Sequence, residues 1–397
     1  MAVQSATAID VLSYATLTLK GHTSKPVTIT LTNGLDRPTV SLARVTGDFD
    51  VRLSRKPVLS HLDPTHVTTI VFEGSSGETT LALERFLLER MSTTSVARRT
   101  KGFWVWDYHA AVAHPETLIQ DCRRAGVTRI LVQMPHKDDP PTVWSAYAAL
   151  LKRATQSGVE IFALDGYPEA IYEPAPLMEK ISRLRALLPE GHLAGLQLDI
   201  EPYLLSQFSD PQDYSLYLHV IDKIKAALGD RARLSIVMPF WFSAKTAHNR
   251  PLDFEVMDRV DEVALMSYRT DVDDLQDITE HTLRYGDAVS IPVWLAVETR
   301  ALPIDRQVTL IREPRQDMAN AYLDRVGRRL VFTSPPPEQK EGFRVAHQIT
   351  VRPERLTFAG KRRHDVQAAI NSMFGFPHTS LAGVLIHDMP GYFSLAE

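Results

Sequence analysis

Two rhythms of apolar and polar positions divide the chain. Through about residue 98 apolar side chains recur every second position, in segments 14–20, 27–31, 39–44, 50–53, 67–72 and 79–84. Successive side chains of a strand point to opposite faces, so a period of two predicts half-buried strands. Gly, Asn and Pro punctuate them, and short Thr- and Val-rich strands at this spacing predict a small β-sandwich over residues 1–98. A polar bridge over 92–101 then leads into a different pattern.

From Gly102 onward, apolar runs of strand length alternate with stretches of helical period. The runs are 103–108, 129–135, 159–165, 193–202, 233–240, 262–268, 291–299 and 382–387. Helical spacing, with apolar residues at i, i+3 and i+4, is clearest over 115–125, 142–157, 175–188 and 213–228. Gly126, Gly158 and Gly229 stand where helix C-caps belong. Eight such units over residues 99–397 predict a (β/α)8 barrel, interrupted by an insertion at about 304–356 that carries Pro335-Pro-Pro337. A doubly wound open sheet is the alternative. It would want a Gly-rich loop after the first strand, where Asp107-Tyr-His-Ala stands instead.

The fourth run holds the densest chemistry. In Leu193-Ala-Gly-Leu-Gln-Leu-Asp-Ile-Glu-Pro-Tyr203, residues Gln197, Asp199 and Glu201 share one face and Leu196, Leu198 and Ile200 the other. In a parallel barrel the aliphatic face packs under the helices, and the polar face looks into the C-terminal mouth, where such barrels keep their chemistry. The other strand ends add Trp106, Asp107, Asp165, Trp241, Met266, Tyr268, Arg269, Glu298, His387 and Asp388, with Tyr203 just after the fourth. Acids hydrogen-bond hydroxyls and protonate glycosidic oxygens, while aromatic faces stack on sugar rings. This mixture favours a carbohydrate over a phosphorylated metabolite, which would call for Gly-rich backbone nests. The bland reading is that single members, such as Asp107 or Asp388, only cap a helix or pair with Arg269 or Arg300.

Charge narrows the partners further. Against 44 Lys and Arg stand 48 Asp and Glu, a net charge of −4 without a basic stripe, so nucleic acid is not expected. No apolar run approaches the ~18 residues of a membrane span. The lone Cys122 cannot form an internal disulfide. The first residues lack a leader's basic and apolar regions. A periplasmic or secreted location is therefore expected if a leader was removed, and a cytoplasmic one otherwise. No cofactor and no metal are expected.

Gly195-Leu-Gln-Leu-Asp-Ile-Glu201 resembles the fourth-strand signature of chitinase-type, family 18 glycoside hydrolases, and Met266-Ser-Tyr268 is similar to the Met-x-Tyr ending their sixth strand. Together with Val297-Glu-Thr and Ile386-His-Asp, these look like a bacterial branch of such barrels. The resemblance covers roughly residues 102–397. It implies a glycosidase that cleaves a polysaccharide, one bearing N-acetylhexosamine, with Glu201 as general acid, Asp199 as its partner and Tyr268 as a donor to the acetamido group. Gln197 stands where the family usually has another Asp, and Glu298 is an acid after the seventh strand. Glu201 and Glu298 could instead form the two-carboxylate set of a retaining glycosidase. A non-catalytic glycan-binding barrel and a metal-dependent hydrolase using Asp107, His109, His387 and Asp388 also remain open. Because every candidate residue lies beyond Gly102, residues 1–98 are expected to be dispensable for the site.

Overall fold

The computed structural model describes residues 2–34, 38–74, 78–90, 98–187, 193–205, 208, 212–229, 232–315, 317–324, 329–332 and 341–397. Most of the polar bridge (92–97) and Pro335–Pro337 lie outside the described residues.

The N-terminal strands are β1 (Ala2–Ile9), β2 (Tyr14–Thr32), β3 (Thr39–Ser54), β4 (Val67–Gly74) and β5 (Leu81–Arg90), with a short helix α1 (Lys56–His61). They hydrogen-bond into one antiparallel sheet of order β1-β4-β2-β3, with β5 also on β2. Segments expected as separate strands run together: 14–20 and 27–31 are both β2, and 39–44 and 50–53 are both β3. The intervening Gly and Pro are absorbed as register shifts, one between Thr23 and Val27, because a bulge adds a residue without ending the ladder. Leu19, Ile29, Phe49 and Phe72 form the apolar interior of this unit.

This unit is also built into the barrel. Leu12 and Leu59 belong to the barrel's own apolar cluster. The buried Arg250 donates to the carbonyls of Leu59 and Leu62, and Arg284 pairs with Asp10 at 2.5 Å. Removing residues 1–98 would therefore uncover apolar surface and strip two carbonyl acceptors from the buried Arg250, which would keep Glu255 and Asp258 as ion-pair partners.

Eight parallel strands close in chain order: β6 (Thr100–Val105), β7 (Arg129–Gln133), β8 (Glu160–Asp165), β9 (Gly195–Leu198) and β10 (Arg233–Pro239) come first. A small hairpin of β11 (Thr246–Ala247) and β12 (Arg250–Pro251) follows, then β13 (Glu262–Met266) and β14 (Val293–Glu298). The expected insertion folds as a four-stranded antiparallel sheet, β15 (Asp305–Arg312), β16 (Ala321–Asp324), β17 (Arg329–Val331) and β18 (Glu341–Val351), before β19 (Leu381–His387) closes the ring on β6. The helices are α2 (Tyr108–Ala113), α3 (Pro115–Ala125), α4 (Pro141–Gln156), α5 (Ala175–Leu187), α6 (Gln212–Leu228), α7 (Leu252–Met257), α8 (Val272–Val289), α9 (Arg363–Met373) and α10 (Met389–Ser394). Helix α3 shows the expected start and stop: Pro115 opens it, and Gly126 ends it at φ 62, left-handed backbone that favours glycine.

Two apolar layers reveal which way each strand residue points. Ile130, Val132, Ile161, Leu196, Leu198 and Leu234 pack outward against helix residues such as Leu118, Tyr147 and Ile181. Trp104, Leu131, Phe162, Leu164, Val237, Trp294 and Leu385 fill the barrel interior. Each large interior ring buries roughly 150–250 Å², worth about 4–6 kcal/mol before entropy is charged against it. Room for these rings comes from glycine: a Cβ on Gly195 would lie 2.1 Å from the Phe162 ring. At the N-terminal floor of the barrel Arg129 pairs with Glu160 at 2.5 Å and Glu262 at 2.6 Å, and Arg233 pairs with the same two acids. Arg129 also lies 4.4 Å from the ring centre of Phe162 and 4.0 Å from that of Trp294.

Candidate active site

The alternation of Trp104, Leu131, Val237, Ala264 and Ala296 inward carries forward to the C-terminal mouth, where Trp106, Gln133, Met266, Tyr268, Glu298 and His387 take the inward positions. Asp199 and Glu201 follow Gln197 on the same side of β9. Their convergence is visible at Tyr268, whose ionisation is held well above the usual tyrosine range by burial and then by Glu298, Asp199, Glu201 and Asp388. One phenol thus stays protonated amid four carboxylates.

Asp199 carries a strongly shifted carboxyl. Burial, and then the charge of Glu201, push its carboxyl up to about 7, while His387 pulls the other way. Its Oδ1 is shut off from solvent with no hydrogen-bond partner among the described residues. The backbone beneath it is pinned: Asp199 N–H donates to the Asp165 carbonyl at 2.8 Å, and a Cβ on Gly166 would lie 2.1 Å from the Asp199 carbonyl oxygen. Only glycine allows the turn after β8 to approach the end of β9 this closely. Glu201 Oε1 accepts a hydrogen bond from the Tyr203 hydroxyl. Tyr203 in turn meets Trp241 edge-on at 4.7 Å, so the two rings form one wall of the mouth.

On the far side, Glu298 is buried and engaged at both oxygens. Oε1 accepts from the backbone N–H groups of Thr299 (2.8 Å) and Arg300 (2.7 Å), and Oε2 meets His387 Nδ1 at 2.7 Å. The His387 ring sits edge-on to Trp104 and Trp106 at 5.7 and 5.9 Å and 6.1 Å from Tyr268. The partner of Glu298 is thus an imidazole on the neighbouring strand, opposite it in register.

Five expected ligand contacts resolve differently. Asp165 pairs in register with the outward Leu198 and forms a buried ion pair with Lys180 of α5, so it faces the helices rather than the mouth. Gln197 does point inward, but it is fully buried: it accepts from Trp104 Nε1 and donates to Ser235 Oγ at 2.9 Å, bracing the barrel below the acids. Arg269 lies 5.0 Å from the Phe240 ring centre and bonds its neighbour's carbonyl at 2.7 Å, outside the acid cluster. Asp107 caps α2 through Ala110 N–H at 2.9 Å. Asp388 likewise caps α10, through Gly391 N–H at 2.9 Å, while remaining beside Tyr268. The residues considered for metal binding do not assemble: His109 is exposed against the Tyr108 ring, and His387 Nδ1 is taken by Glu298.

Two residues escaped the sequence reading. Gln133 is a polar residue at the end of an apolar strand, a signal that was available. Tyr217 on α6 was not recognisable, since it lies in an ordinary amphipathic helix. Its hydroxyl is buried without a partner among the described residues, and burial, then Asp199 and Glu201, hold it protonated.

No protein-family model matches the chain, and no curated protein does. Among solved structures the chain is similar to the spore cortex-lytic enzyme SleL of Bacillus megaterium QM B1551, at 13% identity and TM-score 0.41, over 79% of this chain and 77% of that one. It is similar to a chitinase from Bacteroides thetaiotaomicron at 11% identity and TM-score 0.41, over 74% and 91% of the two chains. A class V chitinase from Pseudomonas fluorescens Pf-5 aligns at 12% identity and TM-score 0.40, over 74% and 96%. Likeness at this level defines neither a family nor an activity for the chain.

Proposed function

We propose that the chain is a glycoside hydrolase that cleaves a polysaccharide, with Glu201 as general acid and Asp199 as its partner. The observation that carries this is the Asp199–Glu201 pair at the barrel mouth, in which Asp199 is pushed up to about 7. Two neighbouring carboxylates in a dry site share protons rather than both ionising, so near neutrality the pair retains a proton for a leaving-group oxygen. Tyr203 orients Glu201, and the protonated Tyr268 supplies a donor on the opposite side. Trp106 and Trp241 offer aromatic faces for the rings flanking the scissile bond.

In this scheme Glu201 gives its proton to the glycosidic oxygen as the bond to C1 breaks. Where the sugar carries a 2-acetamido group, its carbonyl oxygen bonds C1, and Asp199 takes the hydrogen bond of the acetamido N–H. Water, deprotonated by Glu201, then opens that intermediate and returns the proton to Glu201. No second protein nucleophile is required. A scheme with Glu298 as nucleophile is disfavoured because both of its oxygens are already engaged.

The test is release of reducing ends from chitin-like oligomers and bacterial exopolysaccharides by the full chain. Glu201→Gln should lower turnover by about 10²–10⁴-fold, the usual worth of general acid catalysis, with unchanged thermal unfolding. A variant keeping more than about a tenth of wild-type turnover would remove Glu201 from this role. Turnover should also fall as pH rises through about 7, where Asp199 loses its proton.

A further inference from the structure

A groove of about 1030 Å³ leaves the barrel mouth at Trp106 and Asp388 and runs down the outside, between α2–α3 and α10, to Arg124. We propose that it is a binding track for a glycan chain carrying carboxylates, a uronate-rich chain, read by the Arg300 and Arg124 guanidinium groups. This deepens the glycosidase reading and rests on it, since it continues the same mouth.

The groove contains acids as well as arginines, so the sign of its ligand depends on which groups remain available. Its acids all have partners, the exposed Glu397 pairing with Arg363 at 3.3 Å. Asp107 caps α2 and Asp388 caps α10. Asp121 pairs with Arg124 from behind, its side chain 15% exposed against 71% for the arginine. At the upper end Arg300 is 59% exposed over an Asp388 that is 4% exposed, and their closest approach is 3.6 Å, beyond hydrogen-bonding distance. Among the described residues the Arg300 guanidinium makes no other ion pair. At Arg300 and at Arg124 a ligand therefore meets the guanidinium group first, with the partner carboxylate tucked behind it.

The geometry suits a polymer of sugars rather than a small anion. Tyr392 and Phe393 lie along the groove, and Arg124 sits 5.4 Å from the Phe393 ring centre, which steadies its planar head. A guanidinium presents two parallel N–H donors that match a carboxylate edge. The volume lies at the upper end of the roughly 300–1,000 Å³ usual for a ligand pocket. Glycine also holds the reader in place: a Cβ on Gly391 would lie 3.1 Å from Arg300 Cγ and 2.7 Å from Thr299 Oγ1, so only glycine leaves room for the arginine stem over the start of α10.

The test measures binding of hexagalacturonate and of neutral chitohexaose by calorimetry, using full-length Glu201→Gln protein so that neither probe is turned over. Hexagalacturonate should bind, and about 0.5 M NaCl should weaken it. Adding Arg300→Gln with Arg124→Gln should cut its affinity about tenfold or more while changing chitohexaose binding less than about twofold. Arg300→Lys alone should fall between, since it keeps the charge and loses the fork. Equal hexagalacturonate binding with and without the arginines, or binding of the neutral chain alone, overturns the groove proposal. The glycosidase reading fails separately: arginine-dependent hexagalacturonate binding, with no glycan turned over by the wild type, overturns that reading and leaves the groove proposal standing.

Discussion

The two ends of one barrel treat charge in opposite ways. At the floor, Arg129 and Arg233 face Glu160 and Glu262, two positive against two negative groups, every one paired. At the mouth, Asp199, Glu201, Glu298 and Asp388 surround Tyr268, and His387 is the basic group among them. Both ends are enclosed by aromatic rings, so solvent alone does not account for the difference. A neutral, saturated cluster lets the floor close the barrel without a charge to disperse. An acid-rich, unsaturated cluster stores protons and leaves buried polar atoms, such as Asp199 Oδ1 and Trp106 Nε1, without partners among the described residues. The first arrangement serves folding and the second serves a ligand.

Breaking a floor pair should therefore cost stability and little else. Arg129→Met leaves Glu262, which is 1% exposed, without its nearest partner. Urea unfolding should show a loss of up to about 3 kcal/mol, because Arg233, 3.3 Å from Glu262, remains as its partner. Replacing Glu262 by Met as well should recover part of it. A double variant as unstable as the single one would contradict the pairing.

At the mouth the sign reverses. An acid titrating at about 7 in the folded state and near 3.9 in the unfolded chain disfavours folding once the unfolded chain has released its proton. Stability is full below about pH 4 and declines as pH rises toward 7. Asp199→Asn should then match the wild type at pH 4 and exceed it at pH 8, by at most about 4 kcal/mol. It should also lose activity and the decline in turnover through about pH 7. Equal stability of the two proteins at pH 8 would mean that the mouth carries no such strain.

Glu298→Ala should have a smaller effect, about 1–3 kcal/mol in kcat/KM, because it frees His387 and two backbone N–H groups without removing a reacting atom. Azide or formate should not restore activity. Rescue, or a glycosyl adduct on Glu298, would move the chemistry to a two-carboxylate scheme. The smallest expected effect returns to the floor side, at His378 just before β19. Burial works against its charge, but Asp287 and Glu280 at 2.7 and 2.9 Å outweigh it and raise its pKa above 6.5. That stabilisation is full below about pH 6.5 and lost as pH rises through the raised value. His378→Asn should flatten this portion of the stability profile and leave the pH dependence of turnover alone.

The barrel, its eight strands and the acids that follow β9 were legible in the chain alone. These are written locally: helix and strand periods, cap glycines, and a strand whose polar and aliphatic faces alternate plainly through Gln197, Asp199 and Glu201. Orientation at other strand ends could not be read the same way. Strand β8 is apolar on both faces, with Ile161 and Ala163 outward and Phe162 and Leu164 inward, so nothing in its sequence shows that Asp165 falls on the outward count. Closure of the barrel decided that, along with the pairing of Glu298 to His387, 89 positions apart and aligned by the β14–β19 register. The groove exists for the same reason. Helices α2 and α3 come from the first unit of the barrel and α10 from its last, and only the β19–β6 junction brings them side by side.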